Sequence, residues 1–351
     1  MAVQLQSVLP VAEFRGSPRA CGRGYGEVQA EAMRALLTME VRPNRWRLRL
    51  AACCWQELGR WEKPVAEFVR GLAEGSGLTP AETTLLLLHE EIVHSKHCTA
   101  LGATGPGTRD GRAIIGQNWD WASPLTPWPG LLRLRTNAMP ATITYGYPGL
   151  WAAAGINEHG LALMWTSAGY RPKVAPLVGI PTYALIAGVL SRRTCREAID
   201  LVERTPFAGC FIFFLADAAG EVWVLEAGGG RLEVVPCADV IGRANHYETA
   251  ALRRFSRQRI PPDNLKENTR SRGRRMAELL RKHRGRIGPR TVESILCDHG
   301  RPPGLNICQH PLPGRHVVTI DSFYARPDRR EFWIARGHPC RHRYERHPVL
   351  G

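Results

Sequence analysis

Apolar and polar residues follow two different patterns along this chain, and the change falls near residue 98. Before it, apolar residues recur mostly at the spacing of amphipathic helices. After it, short runs with the alternation of strands are separated by turns rich in glycine, asparagine and aspartate. The pattern therefore predicts a mainly helical first segment and a second segment built of strands, hairpins and a few helices.

The first segment is predicted to contain one strand followed by helices. Thr79 fits the start of a helix, because Pro80 follows it at the first helical position and Glu82 completes a capping box. The glycine-rich stretch Gly22–Gly26 is predicted to be a turn. The predicted strand is 9–16, and the predicted helices are 27–50 with a break near Pro43, 61–73, and one that runs from Thr79 towards Val93.

The second segment is predicted to be dominated by hairpins, with turn signals such as Asp110-Gly111 and 157–160. Because hairpins outnumber β-α-β crossovers, the order of elements favours α+β layers over a doubly wound sheet. The predicted strands are 98–103, 113–119, 131–136, 141–146, 150–155, 161–166, 210–216, 221–226, 232–235, 317–324 and 331–335, and the predicted helices are 182–191, 194–205 and a strongly basic stretch at 252–290.

Composition narrows the class of protein further. With 351 residues and 44% hydrophobic residues, the chain can bury the core of a single large domain. Its ten cysteines include no Cys-x-x-Cys pair, and the start lacks the pattern of a signal peptide. Leu85–Leu88, the longest apolar run near the front, is too short to span a bilayer. We expect a cytoplasmic protein with reduced thiols and no membrane partner.

The formal net charge of +15 suggests anionic partners. Much of the excess lies in 252–290, so binding of nucleic acid or another polyanion through this stretch is the alternative function. The stretch holds a single aromatic residue, Phe255, whereas a base-stacking surface needs several. A solvated helical surface is therefore favoured over nucleic acid as a partner. Some of these arginines, or Arg315, could instead attract a coenzyme A ester or a substrate carboxylate.

Cys98 is the candidate nucleophile. A cut between His97 and Cys98 would leave a thiol and an α-amine on one residue, and the amine, with a reference pKa of about 7.7–8, can act as general base. Asp120 could orient that amine, and Asn245 could donate its amide to a tetrahedral oxyanion. Asn118 and Asn157 are further candidate supports. By residue type alone, however, a lone cysteine is more often a small buried apolar residue.

Histidines and cysteines also form three close groups that could chelate a metal. On a strand, residues two apart share a face, but these groups lack the loop-bounded spacing of structural zinc sites. We therefore expect no metal and no cofactor. The groups are Cys297 with His299, Cys308 with His310, and His338 with Cys340 and His342.

Several motifs, taken in order, resemble those of the isopenicillin-N acyltransferase family of self-processing N-terminal-nucleophile (Ntn) hydrolases. Each motif alone is weak, but the ordered set runs from the first third of the chain nearly to its end. The motifs are His97–Ala100 leading to Gly116–Trp121, Gly155–Ala162, Arg243–Tyr247, Ile307–Pro311 and Glu331–Cys340.

The resemblance implies a four-layer αββα sandwich made as a precursor that cuts itself before Cys98. Residues 1–97 would form a helical α-chain packed on the core, and 98–351 a catalytic β-chain with a basic helical insertion at 252–290. His97 departs from the family, because the penicillin enzyme has glycine before the scissile bond. The two chains would remain together after the cut.

The resemblance also implies roles for individual residues. Cys98 would be the nucleophile in self-cleavage and turnover, Asp120 the supporting aspartate, and Asn245 the oxyanion-hole asparagine. The expected function is an amidohydrolase or acyltransferase that passes the acyl group of a small amide or thioester from Cys98 to water or to an amine. Candidate substrate contacts are Thr99, Asn118, Asn157, His246 and Arg315.

Overall fold

The computed structural model describes residues 9–93, 98–122, 128–169, 178–256, 265–300, 306–311 and 317–350. Helices lie outside two β-sheets that pack face to face, which is the predicted αββα sandwich. The helices are α1 Pro18–Leu36, α2 Arg45–Trp61, α3 Lys63–Ser76, α4 Pro80–Leu87, α5 His89–Val93, α6 Thr182–Val189, α7 Cys195–Arg204, α8 Ala250–Arg253, α9 Leu265–Lys282 and α10 Pro289–Leu296.

The larger sheet has eight strands in the order β1-β4-β5-β6-β7-β8-β9-β10, and only β1 and β4 pair in parallel. The smaller sheet has six antiparallel strands in the order β11-β2-β3-β12-β13-β14. The strands are β1 Val11–Gly16, β2 Thr99–Ala103, β3 Ile114–Ala122, β4 Gly130–Thr136, β5 Thr142–Gly146, β6 Ala154–Asn157, β7 Ala162–Ser167, β8 Phe211–Ala216, β9 Val222–Gly228, β10 Arg231–Pro236, β11 Val240–Arg243, β12 Val317–Arg326, β13 Glu331–Arg336 and β14 Glu345–Pro348.

Aromatic side chains join the two sheets. Trp119 of β3 meets Trp165 of β7 edge to face, with ring centroids 5.8 Å apart. The side-chain oxygen of Gln117 accepts a 2.8 Å hydrogen bond from the backbone N–H of Trp165. Gln117 and Trp119 share one face of β3 because strand side chains alternate. This face of β3 therefore looks into the core, and the opposite face looks towards α10.

The predicted turn at Gly22–Gly26 is wrong, because these residues lie inside α1. A Cβ on Gly22 would come within 2.1 Å of the Phe68 carbonyl oxygen, and one on Gly71 within 2.1 Å of the Arg19 carbonyl oxygen. The glycines therefore serve close packing of α1 against α3, which outweighs their low helix propensity.

The structure confirms one helix boundary predicted from the sequence and corrects three strands. The capping box at Thr79 and Glu82 is confirmed. The predicted strand 150–155 is wrong over its first part, because regular pairing begins only at Ala154. β11 and β14 were missed, since both are short edge strands without a buried alternating face. No helix in the described part of the chain combines the length and apolarity needed to cross a membrane.

Candidate active site

Cys98 lies directly before β2, in the core between the two sheets, with 6% of its surface exposed. β2 pairs with β3 so that Thr99 lies opposite Asn118. This register places Cys98 beside Trp119 and Asp120 on the neighbouring strand. The smaller sheet thus brings together the two ends of the sequence segment in which the nucleophile was predicted.

The environment of Cys98 in the intact chain opposes ionisation. Burial raises the pKa of its thiol to about 12, and the nearby Asp120 carboxylate contributes to this increase. A hydrogen bond from the Asp120 backbone lowers the pKa in part. Thiolate is therefore scarce near neutral pH, so that Cys98 requires a base or a new positive charge to become nucleophilic.

The Asp120 carboxylate is fully buried and held from two sides. Gln309 Nε2 donates a 2.6 Å hydrogen bond to Oδ2, and Thr319 Oγ1 donates a 2.6 Å hydrogen bond to Oδ1. Thr319 lies opposite Asp120 on β12, whereas Gln309 comes from the segment 306–311. Donors on both oxygens favour the ionised form and fix the orientation of the carboxylate.

Asn118 shares a face of β3 with Asp120 and helps to build this support. Its Nδ2 donates 2.9 Å hydrogen bonds to the carbonyl oxygens of Leu296 and Ile307. Its Oδ1 accepts a 2.6 Å hydrogen bond from Ser322. Asn118 therefore ties the end of α10 and the segment 306–311 to β3, and its amide is committed to the scaffold.

A fully buried arginine of α9, Arg272, joins the remaining parts of the site. Its Nη1 donates to the Cys98 carbonyl oxygen at 2.6 Å and to Thr99 Oγ1 at 2.7 Å. Its Nη2 donates to Asn245 Oδ1 at 2.7 Å, and its Nε to Asn268 Oδ1 at 2.8 Å. One guanidinium group thus fixes the main chain of Cys98 relative to Asn245.

Asn245 follows β11 and is buried beside the end of β7. Its Nδ2 donates a 2.9 Å hydrogen bond to the Ser167 carbonyl oxygen, and its backbone N–H donates to Thr269 Oγ1 at 2.7 Å. Since Arg272 holds the amide oxygen, the direction of the Asn245 amide nitrogen is set. That nitrogen carries two hydrogens. The Ser167 carbonyl accepts one of them, and the nitrogen also has a long 3.5 Å contact to Ser167 Oγ.

Two other predicted site residues are engaged elsewhere. His246 contacts Thr269 Oγ1 through Nδ1 at 3.0 Å and Glu248 Oε1 through Nε2 at 2.7 Å, and the latter contact lowers the pKa of Glu248. Asn157 donates from Nδ2 to the carbonyl oxygens of Leu190 at 2.9 Å and Arg192 at 2.6 Å. Neither joins the group around Cys98.

Asn157 Oδ1 also accepts 3.0 Å hydrogen bonds from the backbone N–H groups of His159 and Leu161. Its side chain therefore organises the β6–β7 turn and attaches it to the end of α6. His97 and Arg315, the two remaining predicted residues, lie outside the described residues.

A small apolar cavity is connected to the Cys98 region through Trp119, the residue opposite Cys98 on β3. Trp119 Nε1 donates a 3.3 Å hydrogen bond to the hydroxyl of Tyr147 in its wall. Burial raises the pKa of both Tyr147 and Tyr183, and the Cys98 thiol contributes to each increase, so both phenols are within electrostatic reach of the sulfur. The cavity is lined by Leu36, Leu86, His89, Tyr147, Pro148, Leu150 and Tyr183.

The role of Arg272 was missed by sequence reasoning, which placed it on a solvated basic surface. That interpretation is wrong for this residue, because Arg272 is completely buried. The missed signal is helical spacing: Met276 and Leu280, four and eight residues later, are also buried. Gln309 was missed as well, although it stands inside the quoted motif Ile307–Pro311.

Elsewhere in the basic stretch 252–290, Arg275 is paired with two acidic residues. Arg275 Nη2 lies 2.7 Å from Asp298, and Arg275 Nη1 lies 3.0 Å from Glu278. Arg270 and Arg274 are exposed, as expected for a solvated face. The stretch therefore combines a solvated surface with one side that supports the smaller sheet.

Comparison with known proteins gives one family match. The family model for acyl-coenzyme A:6-aminopenicillanic acid acyl-transferase matches residues 107–338, about two thirds of the chain. The matched range includes Asp120 and Asn245 and begins after Cys98. The assignment of the nucleophile therefore depends on the geometry around Cys98. No curated protein matches the sequence.

Solved structures that resemble the chain include three at low sequence identity. Penicillin V acylase from Agrobacterium tumefaciens is 16% identical, with a TM-score of 0.45 over 68% of this chain and 83% of that chain. Two variants of conjugated bile acid hydrolase from Clostridium perfringens are 13% and 15% identical, with TM-scores of 0.44 and 0.46. Both comparisons cover 68% of this chain and 89% of the other.

Proposed function

We propose that Cys98 is the nucleophile of this chain. The premise is that the chain belongs to the acyl-coenzyme A:6-aminopenicillanic acid acyl-transferase family and is an acyltransferase or amidohydrolase. The observation that carries this proposal is the position of Arg272. It donates to the Cys98 carbonyl oxygen and to Asn245 Oδ1, while the Asp120 backbone hydrogen-bonds to the Cys98 thiol and its carboxylate acts on the thiol electrostatically. These contacts support Cys98, Asn245 and Asp120 as nucleophile, amide donor and carboxylate of one site.

The first reaction is cleavage of the chain before Cys98. The Cys98 sulfur bonds to the carbonyl carbon of His97, and the peptide C–N bond breaks. The thiol proton passes to the new α-amine. Water then hydrolyses the thioester, which leaves a carboxylate on His97 and a free thiol on Cys98.

The cut would also change the electrostatics of the nucleophile. In the intact chain the largest influence of a charged group on the sulfur is that of the Asp120 carboxylate, which raises the pKa of the thiol. A new α-ammonium group on Cys98 itself would favour the thiolate and lower this pKa. Asp120, fixed by Gln309 and Thr319, would attract and orient the ammonium group. Processing therefore converts a protected thiol into a reactive one.

In turnover, the neutral α-amine of Cys98 takes the thiol proton, and the thiolate attacks the carbonyl carbon of the acyl donor. The oxyanion is stabilised by the second N–H of the Asn245 amide. The leaving amine or thiol departs with the proton from the α-ammonium group, and acyl-Cys98 remains. Water or an acceptor amine then releases the acyl group and restores the thiol.

The apolar cavity supports an apolar acyl group as the substrate side chain. Aliphatic and aromatic residues dominate its lining, and His89, whose ring packs at a tilt against Trp121 with centroids 5.0 Å apart, is one of few polar groups. Leu36 and Leu86 in the lining come from the first segment. After the cut, the α-chain formed by residues 1–97 would therefore still supply part of the cavity wall.

The structure of the first segment also supports two chains that stay together after the cut. β1 pairs in parallel with β4, so that residues 1–97 supply an edge strand of the larger sheet. Tyr25 and Phe68 of α1 and α3 belong to the main core, and Phe68 contacts Trp151 with ring centroids 4.6 Å apart. Separation of the chains would expose this apolar surface.

The test is whether the purified chain is cleaved before Cys98, which the fragment sizes on a denaturing gel show. Wild-type protein should run as two fragments, residues 1–97 and 98–351, whereas Cys98→Ala should stay full length and lack amide or thioester turnover. Cys297→Ser is the matched control and should be processed normally. Wild-type protein that stays intact, with turnover unaffected by Cys98→Ala, would contradict the proposal.

A further inference from the structure

Four potential metal ligands meet at the end of the smaller sheet. His299 follows α10, Cys308 and His310 belong to the segment 306–311, and Cys340 follows β13. Their ligand atoms all lie within 4.8 Å of one another. The fold thus gathers members of the three Cys/His groups that are separate in the sequence.

Four of the six distances within this cluster lie within about 0.3 Å of the edges of a tetrahedral zinc site, and the other two are at most 4.8 Å. The Cys308 and Cys340 sulfurs are 3.8 Å apart, and His310 Nε2 lies 3.5 Å from Cys308 Sγ and 3.3 Å from Cys340 Sγ. His299 Nε2 lies 3.0 Å from His310 Nε2. Zn–S bonds of about 2.3 Å and Zn–N bonds of about 2.0–2.1 Å require tetrahedron edges of about 3.8, 3.5 and 3.3 Å for S–S, S–N and N–N pairs.

Hydrogen bonds alone do not account for the arrangement. His310 Nε2 has three close neighbours, namely Cys308 Sγ, Cys340 Sγ and His299 Nε2. An imidazole nitrogen offers either one proton or one lone pair in the ring plane, so it can satisfy one of these neighbours well. A cation at the centre would satisfy all four groups at once.

A disulfide does not account for it either. Cys308 and Cys340 are free, and their 3.8 Å separation is far from the S–S bond length of about 2.05 Å. The separation is that of two thiolates bound to one metal ion.

We propose that His299, Cys308, His310 and Cys340 bind one Zn²⁺ ion in a structural site. Two thiolates and two imidazoles suit zinc, and four protein ligands leave no open position for catalysis. Binding releases the two thiol protons, and the two thiolates balance the charge of the ion. This proposal departs from the sequence expectation, in which spacing alone argued against a metal.

The site would stabilise the segment that orients Asp120. Gln309 lies between the ligands Cys308 and His310, and its side chain donates to the Asp120 carboxylate. Its backbone N–H donates to Thr319 Oγ1, and its carbonyl accepts from the Thr319 N–H, both at 2.9 Å. Zinc would thus fix a segment next to the candidate active site. This consequence rests on the proposed function, whereas zinc binding does not.

The experiment is elemental analysis of full-length protein purified without a histidine tag and dialysed against metal-free buffer. Wild-type protein should contain about one zinc per chain, and the double variant Cys308→Ser/Cys340→Ser should lose it. Cys297→Ser, a neighbouring cysteine outside the ligand set, should retain it. Cys98→Ala should also retain it, so a failed nucleophile assignment leaves this result unchanged.

A second measurement covers the case in which the double variant does not fold. Cobalt exchanged into the wild-type protein should give thiolate charge-transfer bands and the visible absorption of a tetrahedral site. A chelator should abolish both and lower the melting temperature, and added Zn²⁺ should restore it. Wild-type protein that binds no zinc at micromolar free Zn²⁺, or a folded double variant that keeps its zinc, would overturn the proposal. So would a Cys308–Cys340 disulfide that persists in protein freshly purified in the presence of a mild reductant.

Discussion

Gln309 donates a 2.6 Å hydrogen bond to Asp120, a residue 189 positions earlier in the chain. The bond connects the segment 306–311 to the carboxylate beside Cys98. It makes the orientation of that carboxylate depend on a part of the chain that does not itself touch the sulfur in any described contact. Gln309 is therefore a positioning residue, and its effects can be separated from those of the nucleophile.

Replacing Gln309 with Ala should lower kcat/KM by roughly 10- to 100-fold, because a hydrogen bond to a charged group contributes about 1.5–3 kcal/mol. The loss should appear in kcat more than in KM, because Gln309 orients Asp120 and is not among the residues that line the cavity. Steady-state kinetics separate the two constants, and circular dichroism checks that the variant is folded. A folded variant with wild-type kcat would show that Gln309 is not a positioning residue.

Arg272→Lys should impair both the cut and turnover. Lysine keeps the charge but cannot donate to the Cys98 carbonyl oxygen and Asn245 Oδ1 in the same fixed geometry. The loss of charge-assisted hydrogen bonds predicts a decrease in kcat/KM of about 100-fold or more. Arg274→Lys, an exposed change on the same helix, is the control and should behave as wild type. Equal activity of the two variants would remove Arg272 from the site.

The Cys98 thiol should react slowly with iodoacetamide in uncut chains and rapidly in cut chains. Burial raises its pKa to about 12 in the intact chain, so the alkylation rate should keep rising with pH beyond pH 9. A partly processed preparation contains both forms, and a gel separates them after brief labelling. Equal labelling rates at pH 7 would contradict the predicted change in the electrostatics of the thiol.

Asp321 should make stability depend on pH. Burial raises its pKa to about 7, although Tyr145 donates a 2.7 Å hydrogen bond to the carboxyl group. Because the folded pKa lies above the unfolded one, the stabilising effect is complete below about pH 4 and is lost as pH rises through 7. At about 1.4 kcal/mol per pKa unit, the loss is on the order of 4 kcal/mol.

Asp321→Asn should therefore flatten the decline in melting temperature between pH 5 and pH 8. The amide has the shape of the protonated carboxyl group and does not titrate. Thermal melts of wild type and variant in the same buffers measure the difference. Parallel pH dependences of the two melting temperatures would show that Asp321 does not cause the decline.

Gly71→Ala should strongly destabilise the chain, because its Cβ would come within 2.1 Å of the Arg19 carbonyl oxygen. The helices α1 and α3 would have to separate, which disturbs their buried contacts. Gly59→Ala in α2 is the matched control, since no heavy atom lies within 4 Å of its Cβ position. It should stabilise by up to about 1 kcal/mol. Chemical denaturation compares the two variants.

The sequence predicted much of the fold because the buried strands carry strong apolar patterns. β8 and β9 were placed to within about two residues of their observed bounds, since almost every residue in them is buried. Gly22 shows the limit: the same residue suits a turn and a close helix contact, and only the position of Phe68 in space decides between them. The edge strands β11 and β14 gave no signal because none of their residues is buried, so burial does not constrain their side chains.

Some residues of the candidate site could likewise be predicted from the sequence, and others could not. Cys98, Asp120 and Asn245 were predicted as site residues because ordered motifs surround them, and their catalytic roles stay a prediction; the structure connects them through β2, β3 and Arg272. Arg272 was not found, since a buried arginine looks like any other in a basic stretch. The four ligands of the proposed zinc site were noticed only as pairs, because their meeting depends on the end of the smaller sheet. The expected cytoplasmic location stays a prediction.

The most direct test of the central claim is mass spectrometry of the large fragment after brief mixing with an apolar acyl donor and rapid acid quenching. The fragment should begin at Cys98 and carry an acyl group on that residue. The adduct should disappear with hydroxylamine, as expected for a thioester. A chain whose first residue is not Cys98, or an acyl group found on another residue while Cys98 stays unmodified, would contradict the account.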